Sequence, residues 1–215
     1  ALIAAVLQAR ETGVGRDVDV SLFDLALYNL NYQGGWFLNS GINTTRLPRS
    51  AHASLTPCQT YRTGDGWIYL MCNKEKFWRQ LCLLAGRAAW INDPRFLTFK
   101  ERLVHRELLT ELIDEALQAQ TTEQWMAIFK GKVPASPILD VAQALQTSWV
   151  RDNGRLERID LPGGGQFNYI APPIRYAGRE PVAGAPALGE HTEATLQALG
   201  LTDIQIRRLR EQGVI

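Results

Sequence analysis

The chain has 215 residues, 46% of them hydrophobic and 21% charged, enough apolar mass for one sizeable core or two smaller ones. Lys plus Arg number 23 against 22 Asp plus Glu, so no global field recruits nucleic acid or an acidic membrane, and neither is expected as a partner. No apolar run approaches the ~20 residues that cross a bilayer, and the three cysteines, Cys58, Cys72 and Cys82, lack the spacing of a disulfide framework or a zinc site.

Ala1–Arg10 reads as the middle of an amphipathic helix with Leu2, Ile3, Val6 and Leu7 on one face, closed by Thr12-Gly13. Ala1 has no preceding Met and the helix has no cap, so further chain is expected upstream. Arg16-Asp17-Val18-Asp19-Val20 alternates at strand spacing. Ser21 and Asp24 then open a helix through Leu30 that is apolar nearly all round and expected to be buried. From Asn31 to Thr56 the Gly34-Gly35 pair, Asn39-Ser40-Gly41 and Pro48 predict a long irregular connection.

Two strands, Gln59–Thr63 and Trp67–Cys72, flank Gly64-Asp65-Gly66 as a hairpin. Helices are expected over Lys74–Leu84, over Glu101–Gln118 with Leu108, Leu109, Leu112 and Ile113 inward, and after the Thr121-x-x-Gln124 capping box. Val133–Pro137 is extended, and Asp140 opens a helix running to Trp149. Leu156–Leu161 and Gln166–Ile170 form two more strands about Gly163-Gly164-Gly165, a proline-rich stretch runs from Pro172 to Pro186, and two helices end the chain, the last behind Thr202-x-x-Gln205.

Five motifs in order are similar to those of the class III CoA-transferase family (CaiB/BaiF type). They are Thr12-Gly13-x-Gly15-x-x-Val18-Asp19-Val20-Ser21-Leu22-x-Asp24, then His52-x-Ser54-x-x-Pro57-x-Gln59-x-Tyr61-x-Thr63-x-Asp65-Gly66. Asp93-Pro94-Arg95-Phe96 with Arg102 and Arg106-Glu107-Leu108 follows, then Val133-Pro134-Ala135-x-Pro137, and last Ala185-Pro186-x-Leu188-Gly189-Glu190-His191-Thr192. Ala53 and Cys58 stand where the family commonly has proline and tyrosine.

The resemblance implies an α/β fold and the C-terminal part of such an enzyme. Residues 1–30 end a large Rossmann-like domain, 31–58 form a linker, and 59–139 form a smaller α+β domain. Residues 140–185 form a second linker with a hairpin, and 186–215 form helices returning to the large domain. It also implies an interlocked homodimer that moves CoA from an acyl-CoA donor to a carboxylic acid through an enzyme aspartyl-CoA thioester, while the odd, unspaced cysteines lead to the expectation of a reducing cytoplasm. CoA is then a substrate, and no permanently bound cofactor or metal is expected. The nucleophilic aspartate is expected upstream of Ala1, with no catalytic residue in this chain. Two alternatives are a CoA-thioester racemase of the same fold and a non-catalytic dimerisation fragment. For the racemase, Lys74 falls at the position of one acid–base carboxylate, with Glu75 beside it.

Asp17, Asp19 and Asp24 sit where capping and the helix dipole favour carboxylates, and are read as structural. Arg46, Arg49 and His52 are the candidate substrate-binding residues, because a guanidinium fork suits carboxylates and phosphates and binding residues favour loops. The triglycine has no Lys or Ser/Thr after it, so it is read as a tight turn. His105 is expected at the surface, and His191 is assigned local hydrogen bonding beside Thr192.

Overall fold

Helix α1 (Leu2–Thr12) ends at Gly13, whose left-handed backbone (φ 72°) lets its N–H reach Ala9 O at 2.9 Å, a conformation that costs glycine no Cβ clash. The computed structural model describes residues 1–161, 164–179 and 182–215, which separate into two units, 1–138 and 139–215. Part of the expected triglycine turn and part of the Pro172–Pro186 stretch lie outside the described residues.

In the first unit α2 (Leu22–Tyr28) follows α1. Ser21 Oγ accepts the Asp24 N–H at 3.0 Å and donates to Asp24 Oδ2 at 2.6 Å, so half of a capping box forms. Two expectations are corrected here. Residues 16–20 form no strand, since a strand needs a hydrogen-bonded neighbour and the described residues supply none. The helix expected to be buried is exposed: Leu22 is 86% and Phe23 71% accessible, because no other described element packs over them.

The irregular connection is also partly helical. Helix α3 (Asn31–Ser40) runs straight through Gly34-Gly35, with Tyr32 and Trp36 one turn apart and their ring centroids 4.8 Å from each other. Asn39-Ser40-Gly41 proves to be its end signal, with Gly41 as the left-handed cap. A single 3₁₀ turn, Pro48–Ser50, follows.

The centre of this unit is a three-stranded antiparallel sheet in the order β1 (Cys58–Arg62), β2 (Trp67–Met71), β3 (Ala135–Pro137). Tyr61 pairs with Ile68 and Thr60 with Tyr69, so Tyr61, Ile68 and Leu70 share one buried face. Helices α4 (Glu75–Leu84), α6 (Arg106–Leu117) and α7 (Thr122–Phe129) supply Trp78, Leu81, Leu109, Ile113, Leu117, Trp125 and Phe129 to the same core. The Thr121–Gln124 capping box closes as expected, and Gly64 lies where a Cβ would come within 2.9 Å of Gln120 O.

The single helix expected over 101–118 is broken. Helix α5 (Phe99–Val104) stops at His105, whose backbone (φ −99°, ψ 27°) is not helical, and α6 begins anew at Arg106. Arg102, on α5, is wholly buried in the core. Its guanidinium donates to Thr56 O at 3.2 Å, to Phe96 O at 2.8 Å and to Glu75 Oε1 at 2.6 Å, and lies 4.6 Å from the Phe99 ring centroid.

In the second unit the helix expected from Asp140 is two short ones, α8 (Val141–Leu145), behind a complete Asp140–Gln143 capping box, and α9 (Ser148–Asp152), capped by Thr147. Strands β4 (Leu156–Asp160) and β5 (Gln166–Ile170) pair antiparallel, and the Glu157 carboxylate takes hydrogen bonds from Tyr169 and Arg179. Helices α10 (Thr192–Ala198) and α11 (Asp203–Glu211) end the unit, the latter behind its Thr202–Gln205 box. Among the described residues no helix is long and apolar enough to cross a membrane.

Candidate functional site

The segment between α3 and β1 crosses the outer side of the sheet, and its fastening begins with two left-handed residues. Arg49 (φ 57°) and Ser50 (φ 52°) both adopt backbone that non-glycine residues seldom take. Surrounding contacts must hold such a conformation in place. Thr60 Oγ1 donates to Arg49 O at 3.1 Å, and the Arg49 guanidinium donates to Asp114 Oδ2 at 2.6 Å. Asp114 Oδ1 also accepts the Arg62 N–H at 2.8 Å, so one carboxylate ties the 3₁₀ turn and β1 to α6. The Trp67 ring lies beneath both guanidinium groups, 5.4 Å from Arg49 and 5.0 Å from Arg62.

His52 is fastened more completely. Its N–H donates to Cys58 O at 2.9 Å, and its carbonyl accepts from Arg106 Nη2 at 2.7 Å. The Ser54 N–H points at Nδ1 from 3.1 Å. A backbone N–H only donates, so Nδ1 carries the lone pair and the proton of the neutral ring sits on Nε2. Nε2 in turn lies 3.0 Å from the Tyr32 hydroxyl, whose oxygen accepts a hydrogen bond from the Nε2–H and leaves its own O–H for another acceptor.

Arg46 differs from both. Among the described residues it has neither an ion-pair nor a hydrogen-bond partner. It lines a polar cleft of about 700 Å³ with Arg49, Gln33, Thr45, Ser50 and Thr60. A second cavity of about 310 Å³ adjoins it, walled by Trp36, Ile42, Leu47, Ala53, Asn43 and Ser54, and the two share Thr44, Thr45 and Leu47. The structure thus brings Arg46 and Arg49 to one cleft and sets His52 against Tyr32 and Ser54.

Two groups escaped the sequence reading. Arg106, Thr110 and Asp114 recur every fourth residue on α6 and form a polar seam against β1, where Gln59 Nε2 donates to Thr110 Oγ1 at 2.9 Å. That spacing amid leucines was the available signal. Tyr32 was hidden inside what read as an irregular connection.

Other candidates have structural work. Asp93 is gripped by Arg95, whose side-chain and backbone hydrogen bonds hold the carboxyl down at about 2. Asp65 Oδ1 accepts from Thr122 N at 2.7 Å and Thr122 Oγ1 at 2.9 Å, which lowers its pKa. Burial raises the Cys72 thiol and pushes Cys82 up to about 12, so both are protonated packing groups. His105 is half-buried at the helix break, with Nδ1 2.9 Å from Glu101 O, rather than at the surface. His191 is exposed and precedes α10 as its capping position. Lys74 caps α4, and Glu75 is paired with Arg102.

The profile of CoA-transferase family III matches residues 1–192 of this chain. The chain belongs to that family. An acyl-CoA transferase of Fusarium pseudograminearum is 29% identical over the whole chain, which covers 48% of that protein. The human succinyl-CoA:glutarate CoA-transferase is 26% identical over the whole chain, which covers 50% of it. A CaiB/BaiF family protein from Brucella suis superposes with a TM-score of 0.73 at 29% identity, over 92% of this chain and 52% of its own. The chain therefore spans about half the length of these family III relatives. The mixed helix-and-sheet architecture accords with the α/β fold that the resemblance implied.

Proposed function

We propose that the protein carrying this chain transfers CoA from an acyl-CoA donor to a carboxylic acid acceptor. The observation that carries the reading is the family III match over residues 1–192. In the mechanism the family resemblance implies, an aspartate upstream of Ala1 attacks the donor thioester carbonyl and expels CoA thiolate, leaving a mixed anhydride. The thiolate then attacks the aspartyl carbonyl of that anhydride, releasing the donor acid and leaving an aspartyl-CoA thioester. The acceptor carboxylate next attacks this thioester, expelling CoA thiolate again. The thiolate takes the acceptor's acyl group, and the aspartate is regenerated. Each step exchanges one activated acyl bond for another, which is why a carboxylate suffices as nucleophile.

This half contributes binding and positioning. Arg46 offers a guanidinium with no partner among the described residues to a polar cleft, Arg49 shapes that cleft, and the Tyr32 hydroxyl, oriented by His52, offers a hydrogen bond to a carbonyl or carboxylate oxygen. The racemase alternative is disfavoured by Lys74 and Glu75, since the one is no carboxylate and the other is held by Arg102. The exposed apolar residues of α1 and α2 support the view that the full protein is an interlocked homodimer, with residues 31–56 and 172–186 crossing between subunits. Hydroxylamine trapping tests the mechanism. The full-length protein incubated with acyl-CoA should yield an aspartyl hydroxamate on an upstream peptide, and absence of any modified carboxylate during turnover rejects the covalent route.

A further inference from the structure

Tyr32, on α3, is 45% accessible, yet its ring has two aromatic neighbours. Its centroid lies 4.8 Å from that of Trp36, one helical turn on. On another side the His52 ring stacks against it at 5.8 Å, the two planes only 24° apart. Neighbours on two sides fix where the hydroxyl sits.

Which way that hydroxyl acts is decided through His52. The Ser54 N–H reaches Nδ1 at 3.1 Å, so in the neutral ring the proton is on Nε2. Nε2–H therefore donates to the Tyr32 oxygen across 3.0 Å. The imidazole is anchored from its own backbone, where the His52 N–H donates to Cys58 O and His52 O accepts from Arg106 Nη2. The acceptor role of Tyr32 is thus filled within the protein. Its O–H, the donor, has no acceptor among the described residues.

Every oxygen that reacts in CoA transfer is an acceptor. Thioester, anhydride and carboxylate oxygens carry lone pairs and no proton, and a carbonyl oxygen gains negative charge as a nucleophile adds to its carbon. We propose that Tyr32 donates a hydrogen bond to that carbonyl oxygen, and that His52 is the positioning residue that leaves the O–H directed at substrate. The proposal rests on the CoA-transferase reading and assigns two residues of this half to the reacting centre. A donor aimed before the charge develops needs no reorganisation when it does, so its loss should fall on kcat more than on KM.

Steady-state kinetics of the full-length enzyme test this with two pairs, succinyl-CoA with glutarate and acetyl-CoA with butyrate. Tyr32→Phe should lower kcat at least about 30-fold and change KM less than about threefold. Two His52 variants then separate positioning from support. A glutamine amide N–H reaches where Nε2–H stood, whereas an asparagine oxygen replaces only the acceptor of the Ser54 N–H. His52→Gln should therefore keep kcat within about fivefold of wild type, and His52→Asn should fall as far as Tyr32→Phe. Unchanged kcat in Tyr32→Phe, or His52→Asn as active as His52→Gln, overturns the proposal while leaving CoA transfer intact. Where the His52 variants do not fold, Tyr32→Phe kinetics and nitrogen NMR of the wild-type imidazole decide together. A kcat loss with the proton on Nε2 upholds the proposal, and an unchanged kcat or a proton on Nδ1 overturns it. A wild type that transfers no CoA with either pair removes the underlying reading, and the proposal with it.

Discussion

Arg49 and Asp114, 65 positions apart in the chain, meet at 2.6 Å, and this pair holds a left-handed turn against the sheet that the candidate site overlies. Asp114 serves three elements at once: the turn through Arg49, β1 through the Arg62 N–H, and α6 on which it sits. Removing it leaves a backbone N–H and a guanidinium without their acceptor. Asp114→Ala should lower stability by about 1–3 kcal/mol in urea unfolding. Asp114→Asn keeps an oxygen for one of the two donors and should lose less. Equal stability of all three proteins would show that water replaces the carboxylate at both donors.

Arg102 and Glu75 should respond unequally to substitution. The Arg102 side chain has no accessible surface, whereas that of Glu75 is 49% accessible. Arg102→Ala strips partners from Thr56 O and Phe96 O besides the carboxylate, and should cost about 3–5 kcal/mol. Glu75→Gln leaves those two bonds and a neutral acceptor, and should cost less than about 1.5 kcal/mol. Matched unfolding curves read both values, and a larger loss for Glu75→Gln would contradict this division.

How much of this was legible in sequence varies with the range of the interaction. The Thr121 and Thr202 boxes, the hairpin at Gly64-Asp65-Gly66 and the cap at Gly13 were all readable, because donor and acceptor sit within a few residues. The partnership of Arg49 with Asp114 and of Arg106 with His52 O was not, since nothing local marks which arginine will find an acceptor. Periodicity likewise identified the apolar residues of α2 but could not say what covers them. Gly34-Gly35 misled, because helix propensity is a weak prior beside the Tyr32–Trp36 contact and the Gly41 cap. Of the three site candidates, Arg46 alone has no hydrogen-bond or ion-pair partner among the described residues.

Acid should reveal the Asp93–Arg95 pair. The folded carboxyl sits at about 2, held there by hydrogen bonds from the Arg95 side chain and backbone, against about 3.9 for an unperturbed aspartate. A depressed value means the contribution is complete above about pH 4 and lost as pH falls through about 2. Carboxyl NMR should place the Asp93 midpoint near 2, and the stability gap between wild type and Asp93→Asn should close between pH 4 and 2. A midpoint near 4 would mean that the pair does not form in solution.

The central claim, CoA transfer by the full-length protein, is tested most directly by following both products at once. The enzyme is incubated with one acyl-CoA and a different free acid in deuterated water, and the thioesters are resolved by mass spectrometry. Transfer predicts a new acyl-CoA carrying the acceptor acid, matched mole for mole by free donor acid, with total thioester conserved and no deuterium at the α-carbon. Donor thioester recovered intact with α-deuterium, or free CoA without acceptor thioester, would contradict it.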